Sequence, residues 1–177
     1  MRNALTQKDV RELLDYNPIT GALTNKVSRA RAAQGDVAGF VDYQGYRMVK
    51  IKGFRYSAGR IIWLWMTGAW PACEIDHINT IRDDDRFENL REASRSENCV
   101  NKNSYARKNR LGFRGVKAGT KNTFQAVICV GQKETYVGTF STLEIAALAY
   151  DLAAKKQHGR FARLNFPEKA HRDWLIP

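Results

Sequence analysis

Asp76 and His77 stand side by side, Asn89 follows twelve residues after His77, and Asn98 comes nine residues later. Three consecutive carboxylates, Asp83, Asp84 and Asp85, lie in the polar stretch between His77 and Asn89. A carboxylate and a side-chain amide are hard oxygen donors, suited to Mg²⁺ or Mn²⁺, ions that keep several waters and accept phosphate oxygens. His77 is one of only three histidines. An imidazole with a reference pKa of ~6.5 can serve as a neutral base at pH 7. A base that takes a proton from water beside a hard cation has the parts for hydrolysing a phosphodiester.

These residues need elements to position them. Cys73 to Ile78 reads as a strand, so Asp76 and His77 fall at its end, with a polar loop after them. Ser94-x-x-Glu97 is a capping box that opens a helix to about Asn103, which puts Asn98 in its first turns. Upstream, Thr6-x-x-Asp9 marks another helix start, with Val10, Leu13 and Leu14 at helical spacing and Asn17-Pro18 and Gly21 ending it in a turn. Residues 37–52 read as β structure broken at Gln44-Gly45. Residues 58–67 form a short helix, apolar on every face and therefore buried, with Trp63 and Trp65 in the core. Residues 101–110 have no apolar pattern and read as a basic linker. Beyond it come three strands, 115–118, 124–130 and 135–140. Ser141-x-x-Glu144 then caps a helix that carries Ile145, Leu148, Ala149 and Leu152 at helical spacing and ends near Gly159. Five alanines between Ala146 and Ala154 would let that helix lie close to a sheet.

Composition narrows the partners. The chain has 177 residues, 29 Lys and Arg against 18 Asp and Glu, a net charge of +11 and a pI near 9.8. So basic a small protein points first to nucleic acid. The charge is uneven: +5 over residues 1–75, −2 over 76–105 and +8 over 106–177. Basic flanks that hold phosphate around an acidic centre that holds a cation would produce this profile. The longest apolar run, residues 61–66, is too short to span a bilayer, and residues 1–10 carry no apolar signal stretch. Cys73, Cys99 and Cys129 lie far apart, which excludes a disulfide framework and a four-cysteine zinc site and fits a reducing cytoplasm.

The central segment resembles the HNH nuclease family, the ββα-metal fold of phage and intron homing endonucleases. The resemblance rests on Asp76-His77-Ile78-Asn79, Asp84-Asp85-Arg86, Asn89-Leu90-Arg91 and Asn98. It extends upstream through Leu13-Leu14-Asp15-Tyr16 with Thr20-Gly21, Gly45-Tyr46-Arg47 and Gly68-x-x-Pro71. The resemblance implies His77 as general base, Asp76 and Asn98 as ligands of one divalent metal, Mg²⁺ first and Mn²⁺ second, and no zinc. The metal would stabilise the leaving 3′ oxygen, and Asn89 would hold the loop and orient His77. The usual Asp-Asn-Arg is Asp84-Asp85-Arg86 here, a change that either alters loop hydrogen bonding or disturbs the metal geometry. A bacterial, cytoplasmic setting follows from the phage-type resemblance.

Residues 111–166 resemble an AP2/ERF DNA-binding domain, through Phe113-Arg114-Gly115-Val116, Phe124-x-Ala126-x-Ile128, Val137-Gly138-Thr139-Phe140, Ala146-Ala147 with Tyr150-Asp151, and Asn165-Phe166. The resemblance implies a three-stranded antiparallel sheet on one helix. If Ala126 and Ile128 face the helix, alternation turns Gln125, Val127 and Cys129 toward DNA. Arg114, Lys117 and Tyr136 match contact positions of that family, whereas Val127 and Cys129 replace its Glu and Arg, so the target sequence differs. Lys121, Lys133, Lys155 and Lys156 are phosphate neighbours or solvated charges. Lys102, Arg107, Lys108 and Arg110 of the linker would track a DNA groove and order on binding.

The expected organisation is α+β. Residues 1–70 form the N-terminal part of the HNH module, 71–104 its ββα-metal core, 105–110 a basic linker, 111–167 the AP2-like domain and 168–177 a tail. The expected function is a site-specific, metal-dependent endonuclease acting on double-stranded DNA. One catalytic constellation implies a monomer that nicks one strand, with double-strand cleavage needing a dimer or a second cut. The alternative is a non-enzymatic DNA-binding regulator with a degenerate HNH core; Asp85 favours it, and the intact Asp76, His77, Asn89 and Asn98 disfavour it. An RNA-directed role ranks last.

Overall fold

The computed structural model describes residues 5–29, 32–101, 110–131 and 133–167. The chain divides into two compact units between Ser94 and Arg95.

In the first unit, helix α1 (Gln7–Leu13) starts on a capping box in which Thr6 and Asp9 satisfy each other's backbone amides. The helix ends sooner than its apolar spacing predicts. Leu14–Tyr16 is strand β1, paired antiparallel with β2 (Leu23–Asn25) across the Asn17–Ala22 turn. Leu14 therefore continues the apolar pattern as a strand residue, an ambiguity inherent in short runs. Strands β3 (Phe40–Val41), β4 (Arg47–Ile51) and β5 (Phe54–Ser57) form a meander. β5 is an addition to the β region expected to close at Lys52. Helix α2 (Ala58–Thr67) is the central core element. Its Ile61, Ile62 and Leu64 are buried with Val10, Leu14, Leu23, Val49, Ile51 and Leu90, while Trp63 and Trp65 are partly buried against that cluster. Strands β6 (Glu74–His77) and β7 (Leu90–Ala93) pair antiparallel, Asp76 opposite Arg91 and His77 opposite Leu90.

The second unit contains helix α3 (Arg95–Asn101), an antiparallel sheet of β8 (Val116–Ala118), β9 (Phe124–Val130) and β10 (Lys133–Phe140) in the order β10-β9-β8, and helix α4 (Leu143–His158). α4 is capped by Thr142, one residue after the expected cap, and its Oγ1 accepts from the Ile145 amide. Its buried face also differs from the expected one. Ala146, Ala147, Tyr150 and Ala154 are buried, whereas Ile145 is 47% and Leu152 60% exposed. The helix rides on its small residues because a sheet approached at backbone distance accepts methyl groups and rejects branched side chains. Gly115 fixes that distance on the sheet side, since a Cβ there would collide with the Tyr150 ring. Ala126 and Ile128 of β9 are buried and Cys129 is exposed, so the strand alternates as its sequence does.

Candidate active site

Asp76 and His77 end β6, each 6% exposed. Asp76 Oδ2 accepts from Arg91 Nε at 2.8 Å and lies 2.7 Å from Arg91 Nη2. The cross-strand register makes this pair, because residues directly opposite on an antiparallel ladder share a face. The guanidinium offsets the carboxylate's burial and fixes its plane. His77 faces a second carboxylate, with Nε2 3.1 Å from Asp85 Oδ1, and Asp85 is 3% exposed.

The loop between His77 and Asn89 is stapled by Asn89. Its Oδ1 accepts from the Asn79 amide at 2.9 Å and its Nδ2 donates to Asp84 O at 2.7 Å. One side chain thus bridges both ends of the loop, while the Ile78 amide donates to Asn89 O at 2.9 Å. Asp84 tightens the same turn: it accepts from Arg86 Nε at 2.8 Å, from Arg86 Nη2 at 2.7 Å and from Asn79 Nδ2 at 2.6 Å. The Arg86 hydrogen bonds hold the Asp84 carboxyl at about 2, below the usual carboxylate range.

Two elements outside the motif brace it. The buried Tyr16 hydroxyl donates to Asp85 O at 2.9 Å, and burial pushes that phenol up to about 12. Gly21, at φ +74°, sits so close that a Cβ would lie 2.7 Å from Arg86 N and 3.0 Å from Asp85 C. The Tyr46 ring lies 5.9 Å from the His77 ring, with the Arg82 guanidinium 5.0 Å from the Tyr46 centroid. Phe87 anchors the turn before β7 against Trp63, ring centroids 5.4 Å apart.

The first unit therefore brings together Asp76, His77, Asn89 and Asp85. Asn98 lies on α3, in the second unit. Residue type and spacing alone give no role to Arg91, Tyr16, Gly21 and Tyr46. Their signal was present in Asn-Leu-Arg, Asp-Tyr, Thr-Gly and Gly-Tyr, but only the fold shows what each touches. Among the described residues no group of three or more His, Cys, Asp and Glu is arranged to hold a metal. A carboxylate and an amide oxygen are donor types that suit a hard cation keeping most of its waters.

On the second unit, Gln125 and Val127 are half-buried and Cys129 and Tyr136 exposed, with the Tyr136 hydroxyl 2.7 Å from Thr139 Oγ1. Lys117 Nζ donates to both oxygens of Glu134 at 2.7 Å. Arg114 is turned inward: Nη2 donates to Val100 O at 2.7 Å and Nε to the Tyr150 hydroxyl at 3.1 Å. Those bonds engage the guanidinium that the AP2/ERF resemblance implies as a DNA contact. Arg110 is exposed, whereas Lys102, Arg107 and Lys108 lie outside the described residues.

A family model described as HNH endonuclease matches residues 56–100, which contain Asp76, His77, Asn89 and Asn98. That match supports a nuclease or DNA-binding role at the level of the family. The chain is also similar to two proteins of Arabidopsis thaliana. It is 58% identical over 36 residues to dehydration-responsive element-binding protein 2E, covering 20% of this chain and 15% of that one. It is 38% identical over 71 residues to dehydration-responsive element-binding protein 2A, covering 39% and 21%. The chain thus spans about a fifth or less of the length of these relatives. Among the described residues no helix is long and apolar enough to cross a membrane.

Proposed function

We propose that the chain is a site-specific, metal-dependent DNA endonuclease. The observation that carries this reading is the buried Asp76-His77 pair at the end of β6, with Asp76 held by Arg91 and His77 by Asp85, beneath a loop stapled by Asn89 and inside the HNH-matching segment. His77 takes a proton from the attacking water. Asp76 and Asn98 hold one divalent ion, Mg²⁺ first and Mn²⁺ second, which when bound supplies positive charge at the leaving 3′ oxygen. Arg91 keeps the Asp76 carboxylate in one orientation, and Asn89 keeps the loop from carrying His77 out of line.

We assign DNA recognition to the second unit, through the outer face of β8–β10 with Lys117, Gln125, Val127, Cys129 and Tyr136. Likeness to proteins named for binding a responsive element supports this assignment. Two DNA-binding units on one chain raise each other's effective concentration on the duplex. With one catalytic constellation, a monomer nicks one strand.

The test is incubation of supercoiled phage or host DNA with the full chain in Mg²⁺, in EDTA, and with His77→Ala. Nicked circles that require the metal and vanish in the variant are expected. Linear product would replace nicking with paired cuts. DNA bound yet left intact under every metal tried would refute the enzyme and leave a DNA-binding regulator.

A further inference from the structure

We infer that Asp85 is a positioning residue that selects which nitrogen of His77 acts as the base; the inference builds on the reading of His77 as that base. Its geometric ground is the buried contact of 3.1 Å between Asp85 Oδ1 and His77 Nε2. A carboxylate facing a neutral imidazole can only accept a hydrogen bond. Nε2 must therefore carry the hydrogen, and the lone pair that takes a proton from water resides on Nδ1. An amide at residue 85 presents either an oxygen or an NH₂ and leaves the tautomer open, whereas a carboxylate closes that choice. The aspartate that departs from the usual Asp-Asn-Arg pattern thereby gains a role at the site.

Two further observations support the assignment. Asp85 Oδ2 is buried with no hydrogen-bond partner, so the carboxylate is retained at a desolvation cost that hydrogen bonding to that oxygen does not offset. The Asp85 backbone is also fixed on three sides. The Tyr16 hydroxyl binds its carbonyl, Gly21 packs against its carbonyl carbon, and the clasp of Asp84 by Arg86 and Asn89 holds the residue before it. With the main chain immobilised, the carboxylate has a defined direction, and His77 takes its ring orientation from that direction. The Tyr46 ring centroid lies 5.9 Å from that of the imidazole.

The tautomer can be read directly by long-range ¹H–¹⁵N correlation NMR on the metal-free full chain, where three histidines make assignment by His77→Ala subtraction practical. Wild type is expected to show His77 protonated on Nε2. Asp85→Ala is expected to lose that preference, and kcat for nicking is expected to fall ~10–100-fold with KM changed less than ~2-fold. Asp85→Asn, which keeps an acceptor, is expected to retain a population of the Nε2-protonated form and a rate between the other two. Tryptophan fluorescence confirms that each variant is folded. A wild-type His77 protonated on Nδ1 overturns the inference, as does an Asp85→Ala variant that keeps the wild-type tautomer and kcat. If wild type cleaves no DNA, the endonuclease reading fails, and the tautomer measurement alone decides the role of Asp85.

Discussion

Removing Arg91 isolates what the Asp76 pair contributes. Both side chains are nearly closed to solvent, at 7% and 9% side-chain exposure, and two guanidinium nitrogens sit 2.7–2.8 Å from one carboxylate oxygen. Arg91→Met keeps the aliphatic length and deletes the charge, leaving Asp76 without its buried counter-ion. Breaking one side of a buried ion pair costs ~3–5 kcal/mol. For a unit of this size each kcal/mol shifts Tm by ~4–8 °C, so the transition should fall by roughly 12 °C or more. Three of the four tryptophans, Trp63, Trp65 and Trp70, lie in the first unit, and their fluorescence in urea reports its unfolding. The double variant Asp76→Leu/Arg91→Met replaces the pair by apolar groups and should recover stability to within ~1 kcal/mol of wild type. It should not recover cleavage, because the proposed metal ligand is gone. A loss below ~1 kcal/mol in Arg91→Met, or a double variant no more stable than the single, would refute the reasoning that the pair is closed to water and mutually dependent.

Three other outcomes follow from the geometry. Gly21→Ala forces a side chain into the left-handed region and against the Arg86 amide, so it should cost more than ~1 kcal/mol by urea unfolding and reduce cleavage by moving Asp85. The Asp84 carboxyl lies below its unfolded value of 3.8, at about 2; its contribution should be fully present above pH ~4 and disappear as pH falls through about 2, read as loop amide shifts by NMR. Glu134→Gln should change stability by less than ~1 kcal/mol, since its pair with Lys117 is half exposed, yet tighten binding to duplex DNA by removing a negative charge from the proposed recognition face.

Much of this architecture is legible in sequence because its signals are local. The Thr6-Asp9 box, the apolar α2 run and the alternating β9 residues are each set within one turn or one strand, and the structure contains all three elements. Leu13-Leu14 is not legible, because two leucines satisfy a helix and a strand equally and only pairing with β2 decides. The α4 face misled for a related reason: hydrophobic spacing weighs Ile145 and Leu152 above alanine, whereas a helix lying tight on a sheet selects for smallness. At the site, residue types announce the chemistry of Asp76 and His77. Arg91 and Asp85 become partners only through strand register and loop closure, and Tyr16 and Gly21 through contacts with chain more than sixty residues away.

On the proposed nuclease reading, the brace that Tyr16 and Gly21 supply sets the smallest transferable unit. The segment that matches the HNH family begins at residue 56, downstream of both braces and of much of the core that buries Leu90. A graft of that segment onto another scaffold would carry Asp76, His77, Asp85 and Asn89 and still lack the hairpin that braces the Asp85 backbone. The proposed activity is therefore expected to need the whole first unit together with Asn98, and a strand break in the turn between β1 and β2 is expected to abolish it without altering one residue of the motif.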